Sequence, residues 1–345
     1  MLEAGDILGN YRIGGVLGEG GFAWVYAGVH VSLGHQVAIK VLLDHHVVKD
    51  SIRARFLDEA RLQANMGHPH IVRVHDIIAE PGVAAMVLEH VDGGTLSDLL
   101  EDTGGPLPAP DVRRIGEQLL SALGHAHRSG VTHRDVKPSN LLLRADRPLQ
   151  ALLGDFGIAR VRGELRGRKA STAVGATLGT VAYASPEQLA DPRAVDGRSD
   201  LWSAAVLLLE AATGVHPFET GTDMSTMKAI TDARPEIPEW LLRREPALVA
   251  ALRGALRSRP EERWPTAERF AEELARTQAP PSEAPPSEAP PTRIPQAKVQ
   301  PVAPPPPVVQ APSGGGALKW LILLVGAVLT AALLVWALRP AGLGP

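Results

Sequence analysis

The stretch from His133 to Gly157 constrains this chain more than any other. It reads His133-Arg134-Asp135-Val136-Lys137-Pro138-Ser139-Asn140, then Leu141-Leu142-Leu143, a short polar interval, Ala151-Leu152-Leu153, and finally Gly154-Asp155-Phe156-Gly157. The apolar triplets are strand-like, whereas the polar sets around them carry Pro or Gly, as tight loops do. Two carboxylates, an amide and a lysine are thus set on two loops with apolar runs between them. Either loop alone is an ordinary polar turn. Both together, in this order, form a pattern that chance rarely supplies.

Ahead of it, Tyr11 to Val41 alternates apolar and polar residues with glycine punctuation, the pattern of a small antiparallel sheet. Leu17-Gly18-Glu19-Gly20-Gly21-Phe22-Ala23-Trp24-Val25 is a glycine-rich hairpin. Its glycines let backbone come close to phosphates, and Phe22 can fold over the tip. An ordinary tight turn reads the same way, so the hairpin decides nothing alone. In Val37-Ala38-Ile39-Lys40-Val41, strand alternation sets Val37, Ile39 and Val41 on one face and Ala38 and Lys40 on the other. Asp50 to Met66 reads as a helix capped by Asp50 or Ser51, with Ile52, Phe56 and Ala60 turned inward. Glu59 falls on that inward side, where an unpaired carboxylate is costly and calls for a cation. His68-Pro69-His70-Ile71-Val72 breaks the helix and begins a strand, and Ala84 to Leu88 forms another.

With these pieces in order the chain resembles the protein kinases, and among them the bacterial Ser/Thr kinases of eukaryotic type. The carrying motifs are the glycine hairpin, Val37-Ala38-Ile39-Lys40, His133-Arg134-Asp135 with Asn140, and Asp155-Phe156-Gly157. The resemblance implies an α+β, two-lobed kinase fold with a small sheet-rich N-lobe and a larger helical C-lobe. It implies that Asp135 orients the substrate hydroxyl and that Lys137, typical of Ser/Thr kinases, contacts the transferred phosphate. Asn140 and Asp155 would bind Mg²⁺, with Mn²⁺ as a substitute, and Lys40, paired with Glu59, would reach the phosphates of ATP. Leu17, Gly18, Glu19, Gly20, Gly21, Phe22 and Val25 would cover the nucleotide. Ala38 makes room for the base, Leu142 lies against it, and the hinge at Glu89 and Val91, past Leu88, meets its edge. Two positions depart from the family pattern: Ala23 replaces a third glycine, and Gln63 stands where many kinases carry an apolar residue.

Asp155 to Glu187 is long and irregular, which is uncommon in a compact domain without a function. It carries Ser171, Thr172 and Thr177 near Arg166, Arg168 and Lys169. The resemblance implies that phosphate on one of these hydroxyls pairs with Arg134 and orders the segment. Gly179-Thr180 and Ala184-Ser185-Pro186-Glu187 resemble the platform for a protein substrate, with Arg263 as the partner of Glu187 and Asp200 fastening the loop of Asp135. Asp111 to Arg128 is a core helix through Val112, Ile115, Leu119, Leu120 and Leu123, and the run Ala204 to Leu209 belongs to a second, very apolar one. None of the twelve histidines shows a His-Glu-x-x-His spacing, and all read as structural.

Beyond about Arg276 the chain becomes a different polymer. Residues 277–317 are Pro-rich, with Pro-Pro-Ser-Glu-Ala twice in tandem, and read as an extended linker, of which Ala279 to Pro312 alone reaches up to about 100 Å. Trp320 to Leu338 is 19 residues without a charge, flanked by Lys319 and Arg339. It reads as a single transmembrane helix spanning 318–338, with a short tail at 339–345 outside the membrane. The expected organisation is a kinase domain at 8–276, split into lobes at about 8–89 and 93–276, on the cytoplasmic side of a cell membrane. Met1 to Asn10 has no signal-peptide pattern. A net charge of -3 gives no basic excess, so nucleic acid is not an expected partner. The absence of cysteine excludes disulfides and thiolate metal sites. Expected partners are ATP, protein substrates, the membrane, and a second copy for phosphorylation in trans. A membrane-tethered pseudokinase that binds nucleotide and recruits partners is the alternative; the intact Lys40, Glu59, Asp135, Asn140 and Asp155 speak against it.

Overall fold

Short segments rich in β-branched and aromatic residues pair because each can bury one face. A computed structural model describes residues 2–20, 23–43, 50–145, 149–156, 182–191, 195–218 and 222–276. In it the strands β1 (Ile7–Leu8), β2 (Tyr11–Glu19), β3 (Ala23–His30), β4 (Gln36–Leu42), β5 (Val74–Glu80) and β6 (Val83–Glu89) form one sheet in the order β1-β2-β3-β4-β6-β5. Every neighbouring pair is antiparallel. Register decides which residues face the site. Val25 lies opposite Lys40, Lys40 opposite Met86, and Ala38 opposite Leu88, so these side chains share a face. Ile13, Tyr26, Val37, Ile39 and Val87 fill the other face as a buried cluster.

The Lys40 face is covered by helix α1 (Asp50–Ala64), which contributes Phe56, Leu57 and Ala60 to a second cluster together with Val72, Met86, Leu88 and Leu152. The expected alternation across Val37 to Val41 and the inward stripe of α1 are both present. The strand expected to begin at His68 to Val72 starts later, at Val74. The Val72 N–H donates to the Leu153 carbonyl and Ile71 bridges to Leu153, so this part of the chain is already engaged with the other lobe.

The helical part comprises α2 (Leu96–Thr103), α3 (Ala109–Arg128), the hairpin of β7 (Leu141–Arg144) and β8 (Gln150–Leu153), then α4 (Pro186–Ala190), α5 (Gly197–Thr213), α6 (Asp223–Thr231), α7 (Glu239–Arg244), α8 (Pro246–Ala255) and α9 (Ala267–Ala275). Helix α5 is buried on every side from Ser199 to Leu209, as a helix apolar all round must be. It begins at Gly197 because Asp196 caps it, accepting the Arg198 N–H at 2.9 Å. It ends at Gly214 with φ 73°, where an added Cβ would come within 2.6 Å of Gly105 backbone.

His216 follows this turn, buried against Tyr183 with ring centroids 4.9 Å apart and accepting the Phe218 N–H on Nδ1 at 3.3 Å. Burial pushes its imidazole down to about 4 from 6.5, against a smaller opposing pull from the Ala182 backbone. Above pH 6.5 neither state is protonated there. Between 6.5 and about 4 the unfolded chain takes a proton that the folded chain refuses, so stability falls as pH falls, by up to about 3 kcal/mol. Urea unfolding at pH 7 and pH 4.5 should show a gentler acid slope in His216→Gln than in the parent. Identical slopes would exclude His216 as a source.

Candidate active site

A loop carrying charged side chains needs its backbone fixed by something buried. Here Asp200, in the first turn of α5, accepts the N–H groups of His133 at 2.8 Å and Arg134 at 2.7 Å, and also meets His127 Nε2 at 2.7 Å. His133 is fully buried and its two ring nitrogens have distinct tasks. Nδ1 accepts the Asp135 N–H at 3.2 Å, so Nε2 carries the proton and donates it to the Gly154 carbonyl at 2.9 Å. Burial keeps this imidazole below its ordinary value despite the pull of Asp200 and the Gly154 carbonyl. The His133 ring also lies 4.6 Å, centroid to centroid, from Phe156. The two loops are therefore tied directly to each other.

Arg134 (φ 67°) and Asp155 (φ 54°) both sit in the left-handed region without being glycine. Each such residue costs about 1–3 kcal/mol and persists only where its surroundings fix it. At Arg134 both backbone groups are held: the N–H by Asp200, and the carbonyl by Gln188 Nε2 at 3.0 Å.

Around these anchors the expected side chains converge. Asp135 Oδ2 lies 3.2 Å from Lys137 Nζ and 3.2 Å from Asn140 Nδ2, and Asn140 Nδ2 also donates to the Asp135 carbonyl at 2.7 Å. Lys40 Nζ hydrogen-bonds Asp155 Oδ1 at 2.9 Å and lies 3.9 Å from Glu59 Oε1. The expected Lys40–Glu59 pair is thus present, with Asp155 the nearer partner. Loss of hydration pushes Lys40 down, but Asp155 and then Glu59 outweigh it and hold the ammonium above its ordinary value. Desolvation pushes the Asp155 carboxyl up, and Lys40 reverses this to leave it below the ordinary range. Both groups are charged at neutral pH.

Gln63, the departure on α1, is buried and donates from Nε2 to the Val72 carbonyl at 2.9 Å. Its hydrogen bond fixes the seam between α1 and the segment leading into β5, which an apolar residue would fix by packing. At the sheet's edge Gly20 N–H closes the turn to the Ala23 carbonyl at 2.9 Å. Gly18 pairs with Val25 and Glu19 with Trp24, while Leu17 stands 46% exposed. Ala38 and Leu142 pack at the margin of the cluster behind Lys40, and Val91 is buried there. The Glu89 N–H is engaged by the Arg73 carbonyl at 2.9 Å and its side chain pairs with Arg144. The expected roles of Gly21, Phe22, Ser171, Thr172 and Thr177 fall outside the described residues, as do Gly157, Gly179, Thr180, the linker and the 318–338 span.

Gln188 is a residue that the sequence reading passed over. Its signal was the Ser185-Pro186-Glu187-Gln188 spacing, which is that of a helix capping box. Glu187 and Asp200, read as structural, are so: Glu187 is held by Arg263 through paired contacts of 2.7 Å each.

The carboxylate of Asp155 and the amide of Asn140 are hard oxygen donors of the kind a divalent cation takes together with phosphate oxygens. Among the described residues no cluster of three or more His, Cys, Asp or Glu is disposed to hold a metal unaided. Asp135 lies beside this pair with a lysine on its carboxylate. The arrangement can hold a polyphosphate near Lys40 and Asp155 and align a hydroxyl at Asp135.

Residues 11–275 match the protein kinase domain family. A probable serine/threonine-protein kinase of Streptomyces coelicolor is 38% identical over 243 residues, which is 69% of this chain and 35% of that protein. Serine/threonine-protein kinase PknJ of Mycobacterium tuberculosis is 36% identical over 280 residues, 79% of this chain and 46% of its own. This chain therefore spans less than half the length of these curated relatives. Among solved structures, the kinase domain of Mycobacterium tuberculosis PknI superposes with a TM-score of 0.61 at 27% identity, covering 80% of this chain and 100% of that one.

Proposed function

The chain belongs to the protein kinase family, and from that premise we propose that it is a Ser/Thr protein kinase that moves the γ-phosphoryl group of ATP to Ser or Thr side chains of proteins, itself included. The observation that carries the reading is the convergence of Lys40, Glu59 and Asp155 beside Asp135, Lys137 and Asn140. Family members use ATP and a divalent metal, and the donor set at Asn140 and Asp155 suits Mg²⁺, with Mn²⁺ as a substitute. The bound ion would draw charge from the phosphates. Asp135 orients the acceptor hydroxyl, Lys137 offsets charge on the transferred group, and Lys40, kept cationic by Asp155 and Glu59, holds the phosphates. Leu17 to Phe22 and Val25 roof the nucleotide, with Ala38, Leu142, Glu89 and Val91 around its base. The complete polar set argues against a scaffold that only binds nucleotide.

Regulation and address extend this reading. Phosphate on Ser171, Thr172 or Thr177, placed in trans by a second copy, pairs with Arg134. The kinase domain occupies 8–276, and 277–317 tethers it to a single membrane helix at 318–338, which its 19 uncharged residues and flanking Lys319 and Arg339 support. The domain then lies in the cytoplasm, where ATP is, with 339–345 across the membrane. Among the described residues no helix is long and apolar enough to cross a membrane.

The test is to incubate the full chain with labelled ATP and Mg²⁺ beside Lys40→Met and Asp155→Asn. Label should enter protein in the parent and fall at least about a hundredfold in both variants. An unlabelled parent removes the enzyme reading, and equal label in all three points to a contaminating kinase.

A further inference from the structure

The strained residue in front of Asp135 is held from two sides, and one of them has no assigned role. Asp200 fixes the Arg134 N–H from α5. The Arg134 carbonyl accepts from Gln188 Nε2 at 3.0 Å, across 54 residues of chain. The other end of the same amide closes the capping box of α4, where Gln188 Oε1 accepts the Ser185 N–H at 2.9 Å and the Ser185 hydroxyl at 3.1 Å. Gln188 thus uses both ends of its amide, one on the helix that carries the expected substrate platform and one on the loop that carries Asp135. A carboxamide is suited to this because it offers a donor and an acceptor side by side. Glutamate would serve the capping box equally well and has no N–H for Arg134.

We propose that Gln188 is a positioning residue for phosphoryl transfer: through the Arg134 carbonyl it sets the backbone of Asp135 and couples that aspartate to the platform on which a protein substrate is laid. This rests on the kinase reading above. A peptide plane that can rotate moves the Asp135 carboxylate away from the acceptor hydroxyl, and misplacement of an orienting group by about 1 Å can cost a hundredfold. Nothing in this arrangement touches the Lys40–Asp155 pair, so nucleotide affinity is left alone.

The experiment compares the full-length parent with Gln188→Glu and Gln188→Ala, measuring kcat, KM for ATP, and Tm. The Glu variant keeps the acceptor for Ser185 but turns an oxygen toward the Arg134 carbonyl, so, assayed well below its Tm, it should lose about tenfold in kcat at unchanged KM for ATP. The Ala variant should lose the same kcat and also Tm. If kcat instead follows Tm, with Gln188→Glu fully active and only Gln188→Ala impaired, the residue is a helix cap and the proposal falls. A Gln188→Glu that raises KM for ATP in step with any loss of kcat also overturns it, since the effect would then lie at the nucleotide. A parent that transfers no phosphate would instead remove the kinase reading itself.

Discussion

Asp135→Asn should lower the rate of phosphoryl transfer by about 10²–10⁴-fold, the range for losing a positioned proton acceptor, with Tm and nucleotide affinity close to those of the parent. The substitution is nearly isosteric. The Asp135 carbonyl that accepts from Asn140 at 2.7 Å is backbone and survives, as does the N–H that donates to His133 at 3.2 Å. What disappears is the negative charge 3.2 Å from Lys137. An amide oxygen can still receive the Asn140 side chain, so the loop has no reason to move, but it orients an incoming hydroxyl weakly and cannot take its proton. Asp155→Asn should fail differently. It removes the carboxylate charge that lies 2.9 Å from Lys40, releasing that ammonium toward Glu59, and it leaves a proposed divalent-ion ligand as a neutral amide oxygen, a weaker donor than a carboxylate. Its loss should therefore include a higher Mg²⁺ requirement and a higher KM for ATP. Titrating Mg²⁺ and ATP for both variants separates the two roles. An Asp135→Asn enzyme that keeps a tenth of parental kcat, or that recovers with excess Mg²⁺, would exchange the assignments made here.

Much of this geometry was legible in the sequence because the site is built from elements whose periodicity is simple. Strand alternation around Lys40 needs only the count of two, and the inward placement of Glu59 only the helical repeat. The apolar triplets at Leu141 and Ala151 pair as β7 and β8, which sets Asn140 and Asp155 at neighbouring ends of one hairpin. What stayed hidden is what depends on backbone conformation or on pairs far apart in the chain. Nothing at Arg134 or Asp155 announces a left-handed φ, since neither is glycine. Gln188 looked like one more polar residue after Pro186-Glu187, because its second partner is a carbonyl, and carbonyls have no residue signature. The same holds for Gln63 and Val72, and for the late start of β5, where tertiary hydrogen bonds to Leu153 displaced a strand that local pattern placed at His68 to Val72. The family resemblance supplied roles that periodicity could not, above all the partner of Glu187.

That partner gives the largest stability effect expected in this protein. Arg263 has a side chain with no exposed surface, lies over the Trp202 ring at 5.0 Å, and donates to Glu187 in fork geometry. It also donates to the carbonyls of Arg257 at 2.7 Å, Arg198 at 3.1 Å and Ser258 at 3.1 Å. Removing it leaves a carboxylate beside Ser199 with its cation gone and three carbonyls short of a donor. Arg263→Ala should cost about 3–5 kcal/mol at neutral pH, the range for breaking a buried pair from one side. Arg263→Lys should recover only part of this, because a point charge cannot reproduce the fork. The pH dependence gives an independent check. Burial pushes the Glu187 carboxyl up, but the hydrogen bonds from Arg263 and Ser199 and the charge of Arg263 hold it below the usual carboxylate value of 4.5. The pair therefore stabilises the parent fully above that value and is lost as pH falls through the lower folded value. Without the arginine the burial is opposed only by the Ser199 contact and a backbone hydrogen bond, so the variant gains relative to the parent on acidification. Urea unfolding at pH 7 and pH 4 should show the difference between parent and Arg263→Ala shrinking at the lower pH. A difference below about 1 kcal/mol at pH 7, the scale of an exposed ion pair, would mean that Glu187 finds solvent in place of its partner.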